Sequence, residues 1–179
     1  VFDGTDALML SGETAIGHDP VLVVETMASI AERAEVEVSY RQWAARLGRI
    51  QRERWDSIGD RITAALTHAA SEAAVGVGAA AIVCCTHAGR TAIAMARFRP
   101  EVPLYALSDD PRTVNQMTLL WGVYAMGVDT YESPDEIVWY GVEQVVQRGL
   151  VETGDTVVVL AGSAKKSVDT AADVLRIVQ

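Results

Sequence analysis

Residues 3–20, DGTDALMLSGETAIGHDP, carry a strand signal, a loop signal and a helix signal one after another. The apolar run at residues 7–10 predicts a short buried strand, and the Ser-Gly-Glu-Thr sequence after it predicts a compact loop. Asp19 is a good N-cap and Pro20 suits the first helical turn, so a helix is predicted over residues 19–38. Its core-facing side is predicted from apolar residues at helical spacing: Val23, Met27, Ile30 and Ala34. The stretch therefore predicts one βα unit of a parallel α/β protein.

The composition restricts the class of protein. The chain has 179 residues, which suits one domain plus a fragment of another, and half of its residues are hydrophobic. Its formal net charge of −9 argues against a general nucleic-acid surface, because phosphate backbones require clustered positive charge. No apolar run is long enough to cross a bilayer and no signal-peptide pattern opens the chain, so we expect a cytoplasmic protein without membrane contact.

The two cysteines, Cys84 and Cys85, are adjacent within an apolar run. Successive strand residues point to opposite faces, so the two thiols cannot bind one metal ion together, and a disulfide between neighbours would be strained. We expect buried free thiols, which fits a reducing compartment. No pair of His or Cys residues has the spacing of metal ligands, so no metal site is predicted in this chain.

Residues 39–59 interleave arginines with Trp43, Leu47, Ile50 and Trp55. This pattern predicts an amphipathic linker helix whose Trp face packs on a neighbouring domain or subunit. An RNA-binding stretch is the alternative, which the acidic remainder of the chain disfavours.

From residue 60 onwards, helix and strand signals alternate regularly. Strands are predicted at residues 81–85, 104–107, 123–126 and 156–160. Helices are predicted at residues 62–77, 91–98, 112–119 and 133–148. Repeated αβ units of this kind predict an α/β fold with a mostly parallel sheet of about five strands, flanked by helices on both faces.

Taken together, these stretches resemble the C-terminal part of a pyruvate kinase. Residues 3–20 match the family pattern DG(T/A)DxxMLSGETAxGxxP at every fixed position, and further landmarks lie at residues 80–92, 96–117 and 149–163. The resemblance implies that residues 1–38 end the catalytic (β/α)8 barrel as its final strand and helix. It also implies that residues 39–59 form a helical linker and residues 60–179 the C-terminal α/β regulatory and assembly domain. Most of the catalytic domain would then be absent from this chain.

The resemblance also implies a function for the parent polypeptide. Pyruvate kinases transfer phosphate from phosphoenolpyruvate to ADP in glycolysis, giving pyruvate and ATP, with Mg²⁺ or Mn²⁺ and K⁺ as cofactors, and they form homotetramers. Their metal and phosphate ligands belong to earlier barrel strands, so this chain alone is expected to bind no cofactor and to be inactive. Ser11 matches a serine near the substrate pocket that is discussed as part of proton delivery. It is a candidate catalytic residue, the alternative being that it organises the loop.

A second candidate site follows the predicted strand at residues 81–85 and opens the next helix, where backbone N–H groups attract phosphate. The residues of this 86–91 loop are Thr86, His87, Ala88, Gly89, Arg90 and Thr91. The structural alternative is that Gly89 shapes the turn, Thr91 helps to cap the helix and Arg90 is solvated. In pyruvate kinases the matching T-x-S-G-R-S/T loop holds an effector phosphate. Here Ala88 replaces the usual serine.

A third element of the predicted effector site is the loop after the last predicted strand. Lys165 and Lys166 offer positive charge there, but no glycine follows Gly162 where relatives have PGxxGxTN. A loop without glycine wraps phosphate less closely, so a single phosphate is expected rather than a wrapped bisphosphate. The alternative to a pyruvate kinase fragment is a non-catalytic module that binds a small phosphorylated ligand or mediates assembly.

Overall fold

The computed structural model describes residues 1–51, 57–129, 134–162 and 172–179. The chain forms two compact units, Val1–Ser39 and Tyr40–Gln179. We call them unit 1 and unit 2.

Unit 1 consists of a short helix α1 (Gly12–Ala15) and a long helix α2 (Pro20–Glu37). The predicted N-cap is confirmed, since the Asp19 carboxylate accepts a hydrogen bond of 3.0 Å from the Leu22 backbone N–H. The strand predicted at residues 7–10 is wrong, because these residues have no regular structure and Met9 is 88% exposed. A strand needs a neighbour to accept and donate its backbone hydrogen bonds, and none is found in the described part of unit 1. Ile30, predicted to face a core, is 65% exposed.

Unit 2 alternates helices and strands, as predicted. Its helices are α3 (Tyr40–Gln51), α4 (Ile58–Val77), α5 (Arg90–Ala96), α6 (Pro111–Met117) and α7 (Pro134–Gln147). Its strands are β1 (Ala81–Cys85), β2 (Leu104–Ser108), β3 (Val123–Gly127), β4 (Val157–Ala161) and β5 (Val174–Val178).

The five strands form one sheet in the order β3-β2-β1-β4-β5. β1 pairs in parallel with both β2 and β4, and β2 pairs in parallel with β3. β5 lies at the edge and runs antiparallel to β4. The predicted mostly parallel sheet of about five strands is thus confirmed, although no strand was predicted at the position of β5.

Each face of the sheet has its own apolar core. On one face Ile82 and Cys84 of β1 pack with residues of α3, α4, α5 and α6, and on the other Val83 and Cys85 pack with residues of α7. The two cysteines are free and buried, on opposite faces as predicted. Burial raises the pKa of the Cys84 thiol above its ordinary value and that of Cys85 to about 12. None of the described helices has the length and hydrophobicity needed to cross a bilayer.

Helix α3 packs on its own unit. The Trp43 indole N–H donates a 2.8 Å hydrogen bond to the Arg97 carbonyl oxygen, and Ala44 is buried in the core beside α4. The side chain of Trp43, in the predicted linker, therefore contacts the α/β domain predicted at residues 60–179. Trp55 lies outside the described residues.

One glycine allows α7 to approach the sheet closely. A Cβ atom at Gly141 would lie 2.9 Å from the Cys85 Sγ atom, 3.4 Å from the Val83 Cγ1 atom and 3.5 Å from the Leu107 Cδ1 atom. The first distance is well inside van der Waals contact, so α7 can lie this close to β1 only because residue 141 has no side chain.

Candidate functional site

The 86–91 loop leaves the carboxyl end of the central strand of the sheet. From β1 the chain proceeds outward through β2 to β3, and then returns to place β4 on the opposite side of β1. The strand order therefore reverses at β1, and α5 and α7 lie on opposite faces of the sheet. Open α/β sheets bind ligands at the carboxyl ends of their strands, beside such a reversal.

The course of the loop depends on Gly89. This residue has a φ of 74° and precedes α5, whose first hydrogen bond runs from the Ile93 N–H to the Gly89 carbonyl oxygen at 2.9 Å. A Cβ atom here would meet Thr113 and Met117 at ordinary contact distances of 3.4 Å and 3.5 Å. The left-handed backbone, rather than lack of space, therefore favours glycine.

The side chains of the loop divide into two groups. Thr86 and Thr91 are buried, with relative exposures of 6% and 0%, while His87, Ala88 and Arg90 are exposed. The structure thus keeps the two threonines away from the surface on which a ligand would lie. His87, Arg90 and the backbone of the loop form the accessible part of the candidate site.

The two accessible side chains that can carry a positive charge, those of Arg90 and His87, each have an acidic neighbour. The Arg90 Nη2 atom lies 3.4 Å from Asp60 Oδ1 of α4, and both side chains are partly exposed. Asp60 is held in place by Ser57, whose Oγ atom donates to Asp60 Oδ2 at 2.7 Å and accepts from the Asp60 N–H at 3.1 Å. An anion that binds Arg90 would therefore compete with a fixed carboxylate.

The loop after β2 supports the 86–91 loop from the side. The His87 Nδ1 atom lies 2.6 Å from Asp109 Oδ1, and the Asp109 side chain is only 18% exposed. Buried Ser108 donates from its Oγ atom to the His87 carbonyl oxygen at 3.1 Å and accepts from the Asp110 N–H at 3.2 Å. A hydrogen bond from the Arg112 N–H lowers the pKa of the Asp110 carboxyl, which caps α6.

Sequence reasoning missed Asp60, Ser108 and Asp109. The signal that identifies Ser108 and Asp109 is their position directly after a predicted buried strand, because the carboxyl ends of parallel strands meet at one edge of the sheet. No such rule predicts the contact between Asp60 and Arg90, because it depends on how α4 packs beside α5.

The remaining predicted site residues lie elsewhere. Lys165 and Lys166 fall outside the described residues. Ser11 is in unit 1, directly before α1, and its carbonyl oxygen accepts hydrogen bonds from the Thr14 N–H at 3.2 Å and the Ala15 N–H at 3.0 Å. The roles predicted for Ser11 and for the 86–91 loop stay predictions. In the part of the chain that the structure describes, no three His, Cys, Asp or Glu side chains are grouped so as to hold a metal ion.

Comparison with known proteins gives consistent matches. A family model described as "Pyruvate kinase, alpha/beta domain" matches residues 64–178. The chain is 37% identical to a pyruvate kinase of Geobacillus stearothermophilus over 162 residues, covering 90% of the chain and 26% of that protein. It is 35% identical to pyruvate kinases of Clostridium acetobutylicum and Agrobacterium vitis, again over 90% of the chain and 33% of each relative. The chain thus spans about a third or less of the length of these relatives.

Proposed function

The chain belongs to the pyruvate kinase alpha/beta domain family, and from this premise we propose that its parent protein is a pyruvate kinase. That enzyme would transfer a phosphoryl group from phosphoenolpyruvate to ADP in the cytoplasm, giving pyruvate and ATP. Such a transfer needs cations at the moving phosphoryl group, which Mg²⁺ or Mn²⁺ and K⁺ would supply in the parent protein. Within it, unit 1 would complete the catalytic barrel and unit 2 would bind an effector and contribute to assembly.

The surface of unit 1 supports the role in a barrel. No residue of α2 is buried, and several of its large apolar side chains are at least half exposed: Val21, Leu22, Val24, Ile30 and Val36. Met9 and Ile16 are more exposed still, at 88% and 91%. Large apolar side chains exposed in this number are characteristic of a region that packs against another part of a protein. The remaining strands and helices of a barrel would supply that cover.

We expect no phosphotransferase activity from the 179-residue chain itself. The resemblance assigns the phosphate-binding arginine, the catalytic lysine and the metal ligands to earlier barrel strands. A coupled assay with phosphoenolpyruvate, ADP, Mg²⁺ and K⁺ should stay at background. Turnover that persists after contaminating host enzyme is removed would contradict the proposed division of labour.

The regulatory part of the proposal concerns the 86–91 loop. The observation that carries it is the position of this loop at the carboxyl end of β1, where the strand order reverses. Arg90 would donate charge-assisted hydrogen bonds to a phosphate, and His87 would contact it from the other side of Gly89. Lys165 and Lys166, which follow β4 in the sequence and lie outside the described residues, would add positive charge.

The ligand of this site is proposed to carry a single phosphate group. Asp60 and Asp109 lie beside Arg90 and His87, so the loop offers little net positive charge to a densely anionic bisphosphate. The loop after β4 has no glycine beyond Gly162 to wrap a second phosphate closely.

Calorimetry of the chain with four ligands tests this proposal: AMP, glucose 6-phosphate, ribose 5-phosphate and fructose 1,6-bisphosphate. At least one monophosphate should bind, and Arg90→Ala should weaken it by roughly one to two decades in Kd through loss of about 1.5–3 kcal/mol. Asp60→Asn should act in the opposite direction and tighten binding, because it removes the carboxylate that competes for Arg90.

The control for these variants is Arg61→Ala, which removes an equal positive charge from an exposed position next to Asp60 on α4. It should leave affinity nearly unchanged. Tighter binding of the bisphosphate would contradict the single-phosphate proposal. If no ligand binds to a folded sample, the alternative of a non-catalytic assembly module is favoured.

Assembly is the second role proposed for unit 2. Family members with this domain suggest a homo-oligomer, and a tetramer is expected for the parent protein. β5 is an edge strand whose Ile177 is 48% exposed, so it offers one surface for a second copy. Sedimentation equilibrium of the chain and of the complete protein would measure the oligomeric state of each.

A further inference from the structure

A cavity lies at the carboxyl ends of β2 and β3, between α6 and α7, and it adjoins the 86–91 loop, because Asp109, which contacts His87 of that loop, also lines the cavity. Its volume is about 390 Å³, within the usual range for small-molecule sites. Its lining includes seven residues with polar side chains: Ser108, Asp109, Asn115, Asp129, Tyr140, Gln144 and Arg148. All of them belong to unit 2.

Two hydrogen bonds, one made by α7 and one by Arg148 directly after it, hold this part of the chain against the end of β3 and thereby fix one wall of the cavity. The Tyr140 hydroxyl oxygen accepts from the Asp129 N–H at 3.2 Å, and Arg148 Nη2 donates to the Gly127 carbonyl oxygen at 3.1 Å. On the other wall, the hydrogen bond of 2.6 Å to His87 orients the Asp109 carboxylate. The polar groups are thus partly preorganised, which lowers the cost of ordering them around a ligand.

The charges of the lining select the kind of ligand. The lining includes two carboxylates, those of Asp109 and Asp129, and one guanidinium, that of Arg148, which already donates to a backbone carbonyl group. This balance disfavours a phosphate or another anion. Nor are three metal-ligating side chains grouped among the described residues, as a bound metal ion would require. An organic cation with several polar groups matches the lining better.

We propose that this cavity binds a small polar molecule that carries a protonated amine, with the amine beside Asp129 and Asp109. Hydroxyl or carboxylate groups of the ligand would be met by Asn115, Gln144 and Arg148. The proposal does not depend on phosphate binding by the 86–91 loop, so the two can fail separately.

Matched probe pairs test the amine requirement by calorimetry on the 179-residue chain, at about pH 6, where amines of this kind are protonated. The pairs are glucosamine with glucose, 1,4-diaminobutane with 1,4-butanediol, and alanine with lactate. At least one amine should bind about tenfold or more tightly than its partner, as expected for a hydrogen bond to a charged group. The pair that shows the largest difference identifies the source of the amine as an amino sugar, a diamine or an amino acid.

Asp129→Asn should reduce the affinity for that amine about tenfold, to the level of the amine-free analogue. Asp129 is exposed, and circular dichroism would verify that the variant is folded. The control is Glu143→Gln, which removes one carboxylate charge from an exposed position of α7 that does not line the cavity. It should leave amine affinity unchanged.

Backbone amide shifts would locate the bound amine, with the largest changes expected around Asp109 and Asp129. The proposal is overturned if each amine binds no better than its analogue, or if no amine binds in the millimolar range. Equal losses in Asp129→Asn and Glu143→Gln would also overturn it, because they would indicate only a general effect of net charge.

Discussion

Replacement of Gly141 by alanine tests the close approach of α7 to β1. Glycine costs a helix interior about 1 kcal/mol relative to alanine, so the substitution would stabilise the protein if space allowed it. The new Cβ atom would instead lie 2.9 Å from the Cys85 Sγ atom, in a fully packed core. Overpacking of this kind costs about 1–3 kcal/mol. We therefore expect Gly141→Ala to lower the free energy of unfolding by up to about 2 kcal/mol.

The sign of the effect should reverse when the sulfur atom is removed. In a Cys85→Ala background, the nearest remaining contacts of the Gly141→Ala Cβ atom are those of 3.4 Å and 3.5 Å, to Val83 and Leu107. These are close to ordinary van der Waals distances, so the gain in helix propensity should dominate. Gly141→Ala should then stabilise the variant by up to about 1 kcal/mol, which gives a coupling energy of about 1–3 kcal/mol between the two positions.

Urea unfolding of the four proteins of this cycle would measure the coupling. Gly76→Ala is the matched control, because Gly76 is also helical but a Cβ atom there would meet nothing within 4 Å. It should stabilise by up to about 1 kcal/mol in both backgrounds. If Gly141→Ala stabilises the wild-type chain as much as Gly76→Ala does, the inference that α7 closely approaches β1 at Gly141 is wrong. If it destabilises both backgrounds equally, Cys85 is not the obstacle.

Three further predictions concern the core thiol, the loop and unit 1. Burial raises the pKa of Cys85 to about 12, so its thiol stabilises the folded state fully below the ordinary pKa of 9.0. The free energy of unfolding should therefore fall between pH 9.0 and about pH 12, at about 1.4 kcal/mol per pH unit. Urea unfolding at several pH values should show that it falls less steeply with pH in Cys85→Ala. Gly89→Ala should cost about 1–2 kcal/mol of stability in the same assay because of the positive φ, with Gly89→Asn milder. In the proposed parent pyruvate kinase, Ser11→Ala should lower kcat by about 10²-fold with little change in KM for phosphoenolpyruvate, whereas unchanged kcat would indicate a structural role.

The elements of unit 2 were predictable because their signals are local. β1 was predicted at its observed bounds, since an apolar run between polar residues needs no further information. β5 was missed because its sequence, Val-Leu-Arg-Ile-Val, shows a strand only once β4 is known to present an edge to it. The strand predicted at residues 7–10 failed for the opposite reason. Its apolar pattern is strong, but a strand also needs a neighbour.

The candidate site was predictable only in part. The position of the 86–91 loop and the role of Gly89 in its turn follow from a strand, a glycine and a helix in succession. The burial of Thr91 and the pairing of His87 with Asp109 do not, because they depend on the packing of α5 and on the order of the strands. Residue types thus identify where a loop lies, whereas tertiary contacts decide which of its side chains a ligand can reach.

The two units differ in how many of their apolar side chains are buried. Every buried residue in the described part of the chain belongs to unit 2, which has a packed core on each face of its sheet. Unit 1 has none; Val23, Met27 and Ala34 are only partly buried, and many of its other apolar side chains are exposed. Because burial of apolar surface is the main stabilising term in folding, we expect unit 2 to fold by itself. The ligand binding proposed for the 86–91 loop and for the cavity between α6 and α7 should therefore be measurable on this chain, whereas a test of Ser11 requires the complete parent protein.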